Sequence, residues 1–123
     1  MKIAVVEDES SIRNGLAKII KKLDPEYELV GTAGNGLEGL HLVQNTEPDL
    51  VIMDIQMPVM NGFDTTLTIR KMKDDKKAMI PIIAMTANAF AEDRQKALSV
   101  GMNDHVAKPV DMNILAPTMM KYL

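Results

Sequence analysis

The chain has 123 residues, no cysteine, 3% aromatic residues and a formal net charge of -3. The missing cysteine excludes disulfides, thiolate zinc ligation and a Cys nucleophile. The mild acidity argues against a nucleic-acid surface, which needs a basic patch, and no apolar run approaches the ~20 residues of a membrane span.

A chain of this length buries roughly two-thirds of its unfolded surface, so one domain over residues 1–123 can fold without a staple. Met1-Lys2-Ile3 leads straight into a strand-like run with no signal-peptide pattern, so a soluble cytoplasmic protein is the expectation. With 11 methionines and few aromatics, the core must rest on Ile, Leu, Val, Ala and Met, the methionines acting as gap fillers.

The first apolar run, Ile3–Val6, reads as a buried strand. Ile12, Leu16, Ile19, Ile20 and Leu23 then share one helical face, with Ser10 or Ser11 as the expected N-cap. Leu29–Ala33 is a weaker strand, interrupted by Gly31 and Thr32. Leu37, Leu40 and Val43 stripe a second helix that Pro48 ends, with His41 on its polar side as a surface residue. Leu50–Met53 is the third strand, and Phe63, Leu67 and Met72 form a looser third helical stripe. The charged run Lys73–Lys77 reads as a solvated loop. Ile80–Met85 is the fourth strand, and residues 87–100 form a helix stopped by Gly101. His105–Ala107 is a weak fifth strand before a last helix that begins near Asp111. Pro117 falls inside that helix, where it removes a hydrogen bond at a cost of ~3 kcal/mol, so a kink or a restart is expected there.

Five repeats of strand then helix mean a parallel sheet with helices on both faces. In such a sheet the strand C-termini share one edge, where ligands bind at the switch in strand order. Glu7 and Asp8 follow the first strand, Asp54 the third, Thr86 the fourth and Lys108 the fifth. Three carboxylates, a hydroxyl and an ammonium should therefore meet in one shallow cleft. Left alone, the carboxylates repel, and at least one should raise its pKa. A hard cation, Mg²⁺ (or Mn²⁺), resolves the conflict through oxygen ligands and lets Asp54 stay ionised toward an incoming phosphoryl group. Lys108 then supplies positive charge on the other side of that group, Thr86 a hydroxyl donor, and backbone N–H groups after Asp54 and Thr86 complete the cradle. Singly, a Glu-Asp pair is a solvated turn and a Lys-Pro a loop; the combination at four strand ends carries the reading.

Four segments carry a family resemblance over essentially the full length: Val5-Val6-Glu7-Asp8-Glu9, Met53-Asp54-Ile55-Gln56-Met57-Pro58-Val59-Met60-Asn61-Gly62, Met85-Thr86-Ala87-Asn88-Ala89 and Ala107-Lys108-Pro109. The chain resembles the receiver domains of response regulators in bacterial two-component systems. The resemblance implies a flavodoxin-like, doubly wound (βα)5 fold with sheet order 2-1-3-4-5. It implies that Asp54 accepts a phosphoryl group from a phosphohistidine. Mg²⁺ is then held by Asp8, Asp54 and the backbone carbonyl of Gln56, with Glu7 helping directly or through water. Gln56, Thr86, Ala87 and Lys108 bind the phosphoryl group, and the Lys108–Pro109 peptide is cis, aiming Lys108 into the cleft. Pro58 stiffens the loop after Asp54 and Gly62 allows a tight helix entry; Met57 and Met60 read as loop packing.

The resemblance also implies a switch. Thr86 moves toward the phosphoryl oxygens, the ring at His105 turns inward, and partners read the face formed by the fourth helix, fifth strand and fifth helix. The family more often has Tyr or Phe at His105, so a half-buried strand histidine without a switching role stays open, as does pH-sensitive switching. Glu7 stands where Asp is commoner. Gln56 and Asn88 occupy positions that tune hydrolysis and offer no evident base, which predicts modest autodephosphorylation. The leading function is a signalling phosphoacceptor, not an enzyme on an external substrate. Its expected partners are a sensor histidine kinase or a histidine phosphotransfer protein and a downstream protein target, with neither nucleic acid nor membrane.

The alternatives are a receiver of a hybrid histidine kinase or phosphorelay acting as a phosphate shuttle, which the 85–89 segment resembles, or an interaction module with a vestigial site. The intact acidic, hydroxyl and amine set weighs against a vestigial site. A flavodoxin would need a Ser/Thr/Gly phosphate loop after the first strand, and a haloacid-dehalogenase-type phosphatase an Asp-x-Asp pattern; Glu7-Asp8-Glu9 matches neither. No DNA-binding or catalytic domain is expected beyond Leu123.

Overall fold

The computed structural model describes residues 1–87 and 91–123. The elements run β1 (Lys2–Val6), α1 (Ser10–Leu23), β2 (Glu28–Ala33), α2 (Gly36–Thr46), β3 (Leu50–Asp54), α3 (Gly62–Arg70), α4 (Asp75–Ala78), β4 (Ile82–Thr86), α5 (Ala91–Ser99), β5 (Asp104–Ala107) and α6 (Met112–Met120). The five strands are all parallel, in the order β2-β1-β3-β4-β5. This is the parallel sheet that the alternation of apolar runs and helical stripes implies, in the flavodoxin-like order that the family resemblance implies.

The two faces of the sheet are read out residue by residue, because side chains alternate along a strand. Ile3, Val5, Leu50, Ile52, Ile83, Met85 and Val106 point to one face and pack with Leu16 and Ile20 of α1 and Leu115 and Met119 of α6. Ala4, Val6, Val51, Met53, Ile82 and Ala84 point to the other and pack with Val43 of α2, Ile69 of α3 and Ala97 of α5. Both faces are covered, so β3 and β4 are buried at every residue. Order 2-1-3 puts the reversal of winding between β1 and β3, where a crevice opens at the strand C-termini.

Local chemistry corrects several expectations. Asp74 caps a helical turn, α4, within the charged run read as a loop: its side chain accepts from Lys76 N and Lys77 N. β4 begins at Ile82 rather than Ile80, because Ile80 N closes the preceding turn onto Lys77 O. Neither serine caps α1: Glu9 is the N-cap without a side-chain bond, and the Ser11 hydroxyl turns to Glu9 Oε1 instead. α3 buries Thr65, Thr66 and Ile69, whereas Leu67 is exposed and Met72 lies past the helix end. α2 stops at Glu47 in the left-handed region (φ 48), one residue before Pro48. α6 is continuous through Pro117, with no restart there. Gly101, at φ 104, follows α5 as the expected stop. With α4 inserted, the face expected to be read by partners is α5-β5-α6.

Candidate functional site

The crevice is built from the ends of four strands. Glu7 follows β1 and is fully buried, its backbone N–H donating to Ala33 O at the end of β2 (2.9 Å). Asp8 comes next and is exposed. Asp54 is the last residue of β3 and is 3% exposed. One carboxylate oxygen from each of Glu7, Asp8 and Asp54 lies within 4.8 Å of the others. An octahedral Mg²⁺ shell, with oxygens about 2.1 Å from the ion, spans about 4 Å. The 4.8 Å bound exceeds that span by less than about 1 Å, so a small inward movement of the carboxylates closes the trio on an ion, and all three offer the hard oxygen donors it prefers.

Lys108, just past β5, joins the acids in the cleft. Its ammonium bridges two of them, 2.9 Å from Asp54 Oδ2 and 2.9 and 3.1 Å from the Glu7 oxygens Oε2 and Oε1. Only the Oε1 contact has hydrogen-bond geometry, so Glu7 Oε2 has an ionic neighbour but no hydrogen bond among the described residues. The physical reason is charge balance: Lys108 is the one cation that these contacts give to two buried carboxylates. Burial pushes the Glu7 pKa up, and the Asp54 charge adds to this against the Lys108 hydrogen bond that lowers it. Burial thus disfavours the charged form of Glu7. Burial pulls the Lys108 ammonium down, but its hydrogen bonds to Glu7 and Asp54 outweigh that and hold it above its ordinary 10.5.

The loop after Asp54 is fixed by its own backbone. Gln56 N donates to Asp54 Oδ1 at 3.3 Å, and Gly62 N donates to Ile55 O at 3.1 Å. A Cβ at Gly62 would run into the Asp54 carbonyl, so only glycine lets α3 start this close to β3. Asn61 caps α3 through Asp64 N (2.9 Å). Gln56 itself is exposed, and Val59 adopts φ 67, an unusual state for a β-branched residue that no motif foretells.

Thr86 ends β4 fully buried, and its hydroxyl has no hydrogen-bond partner among the described residues. Leaving a buried hydroxyl unsatisfied costs about 1–3 kcal/mol, which such a group recovers when an acceptor arrives. Ala87 beside it is exposed; Asn88 lies outside the described residues. The Lys108–Pro109 peptide is cis, as expected, and Lys108 N donates to Thr86 O at 2.8 Å. His105 on β5 is partly exposed, its Nδ1 3.9 Å from Asp104 Oδ1. The structure thus brings Glu7, Asp8, Asp54 and Lys108 together and leaves the Thr86 hydroxyl without a partner among the described residues, while His105 pairs with Ala84, two residues back along β5 from the Ala107 that pairs with Thr86. The sequence reading missed Arg13, whose Nη1 donates to Glu7 O at 2.9 Å; its place on the first turns of α1 was the available signal.

Comparison with known proteins places the chain in one family. The family model described as "Response regulator receiver domain" matches residues 3–119. The hybrid signal transduction histidine kinase G of Dictyostelium discoideum is 42% identical over 122 residues, which is 99% of this chain. The chain spans 4% of that relative's length. Among solved structures, the chemotaxis response regulator CheY4 of Vibrio cholerae is 30% identical with a TM-score of 0.86, covering 99% of this chain and 98% of that one. The receiver domain of the sensor histidine kinase PA1611 from Pseudomonas aeruginosa PAO1, with a magnesium ion coordinated in its active-site cleft, is 29% identical with a TM-score of 0.86. That match covers 98% of this chain and 95% of that one.

Proposed function

The chain belongs to the response regulator receiver domain family of two-component signalling, and from that premise we propose that Asp54 is its phosphoacceptor, served by Mg²⁺ or Mn²⁺ at Glu7, Asp8, Asp54 and the Gln56 carbonyl. The observation that carries the reading is the Lys108 ammonium shared between Glu7 and Asp54, beside an Asp8 oxygen within 4.8 Å of both. Such a site balances charge and can receive more.

In the transfer, a carboxylate oxygen of Asp54 attacks phosphorus. The O–P bond forms as the N–P bond of the donor phosphohistidine breaks, and the imidazole nitrogen keeps the electron pair. A bound divalent ion supplies charge neutralisation for the phosphoryl oxygens. Glu7 and Asp8 hold position around Asp54, and Lys108 leaves Glu7 to pair with the arriving oxygens. The Thr86 hydroxyl, with the backbone at Ala87 and Gln56, donates to those oxygens. A sensor histidine kinase or a histidine phosphotransfer protein is the donor, and the α5-β5-α6 face, with Thr86 and His105 as the moving pair, controls a downstream protein. Residues 1–123 act as one cytoplasmic receiver unit, without direct nucleic-acid binding, that turns over only its own aspartyl phosphate. The neutral amides Gln56 and Asn88 keep that hydrolysis modest.

The test is incubation with acetyl phosphate and Mg²⁺, then intact-mass analysis. The wild type gains one phosphoryl group; Asp54→Asn gains none, and chelation with EDTA abolishes the gain. Equal uptake by Asp54→Asn would overturn the assignment. A second reading, a receiver module of a hybrid kinase passing phosphate onward, is favoured by the 42% identity to a hybrid histidine kinase. It predicts phosphoryl transfer from the chain back to a histidine phosphotransfer protein.

A further inference from the structure

The loop that carries Glu7 and Asp8 is held by a residue outside the ligand set. Glu7 N is tied to Ala33 O of β2, and Glu7 O accepts from Arg13 Nη1, both at 2.9 Å. The same nitrogen lies beside Gly34, where a Cβ would stand 3.3 Å from it. Gly34 N in turn donates to Glu38 Oε2 at 3.1 Å. Arg13 therefore sits where the loops after β1 and β2 meet. A peptide unit is planar, so holding the Glu7 carbonyl restrains the Asp8 Cα that shares its plane. Asp8 is exposed, so the direction of its carboxylate rests on that backbone.

We propose that Arg13 is a positioning residue of the metal site: its guanidinium clamps the Glu7 carbonyl and thereby aims Asp8 toward Asp54. The inference rests on the reading of Glu7, Asp8 and Asp54 as that site. A charge-assisted bond to a carbonyl is among the stronger restraints available to a loop. Outer partners of a metal site typically contribute 10- to 100-fold in affinity.

The experiment is Mn²⁺ titration of the full chain followed by electron paramagnetic resonance, at a temperature where circular dichroism reports every variant folded. Arg13→Met keeps the packing of the stem and removes the donors; its Kd rises about tenfold. Arg13→Lys, which keeps the charge and loses the fork, falls between Arg13→Met and the wild type. Asp8→Asn weakens binding more than either. Should Arg13→Met not fold, Arg13→Gln is judged by the same criterion. An unchanged Kd in the neutral Arg13 variant beside a weakened Asp8→Asn overturns the Arg13 role alone. Binding unchanged in Asp8→Asn, or no binding by the wild type, overturns the metal reading and this inference with it.

Discussion

Two half-buried cations stand at opposite edges of the sheet, and their partners separate them. Arg70, at the end of α3, spends five donated bonds on neutral oxygens: Gly101 O twice (2.7 and 2.9 Å), Ala78 O (2.8 Å), Ile80 O (2.7 Å) and Asn103 Oδ1 (2.9 Å). Lys108, at the C-terminal edge, faces two carboxylates. Carbonyls neither titrate nor carry a full charge that draws a competing cation, so Arg70 is fixed masonry joining α3, the turn before β4 and the turn before β5. Carboxylates do both, so Lys108 is replaceable. Burial of a charge does not by itself mark a working site; the chemistry of its partners does.

The strongest way to break this contrast is Arg70→Met. It strands three backbone carbonyls, and a loss of about 3 kcal/mol is expected, read as a lower urea midpoint. Mg²⁺ should not restore it, and the folded protein should still take up phosphoryl groups. Lys108→Met should lose about 2 kcal/mol in EDTA, reduced from the buried-pair range by residual exposure. Here added Mg²⁺ should recover most of the loss, because an ion bound only by the folded state supplies the missing counter-charge. A loss insensitive to Mg²⁺ would make Lys108 a second Arg70. Lys108 also sets an alkaline limb. Its raised pKa means its stabilisation is complete below 10.5 and fades as pH rises through the raised value, so urea midpoints of wild type and Lys108→Met should converge there.

Glu7→Gln should act with the opposite sign. Glu7 is raised above 4.5, so the folded state holds its proton longer than the unfolded chain, and wild-type stability falls as pH climbs through that interval. The amide removes this penalty, so at pH 7 in EDTA the variant should have the higher urea midpoint while its Mn²⁺ affinity drops. The smallest effect is expected at Lys121, whose ammonium lies 3.4 Å from Asp104 Oδ2 with a side chain 63% exposed. Lys121→Ala should shift stability by less than about 0.5 kcal/mol, because water already screens that pair. A larger shift in the urea midpoint would show that partner type outweighs burial.

These two cations also mark what was legible beforehand. Lys108 was readable because it follows a strand, and all parallel strands end at one edge. Arg70 was not: a basic residue in the last turn of a helix looks like an ordinary dipole partner. Its acceptors at 78, 80, 101 and 103 become neighbours only in space. The third helical stripe was only partly right, for a related reason: Phe63 and Met72 pack against the core, but Leu67 is exposed. Thr65 and Thr66 are fully buried, and burial of a polar residue leaves no trace in a hydrophobic pattern. The helical turn at Asp75–Ala78 did leave one, the Asp74 cap ahead of it, but it is a single turn whose apolar residues show no period.

The amino-acid order by itself determined the alternation of strands and helices, and with it the edge at which Glu7, Asp8, Asp54, Thr86 and Lys108 gather, because side-chain period and parallel winding are local properties. Only the tertiary structure decided that Lys108 bridges Glu7 and Asp54, that the Thr86 hydroxyl is buried without a partner among the described residues, and that Arg13 holds the Glu7 carbonyl. Those depend on angstrom-scale distances between chain segments, which packing sets and periodicity does not encode.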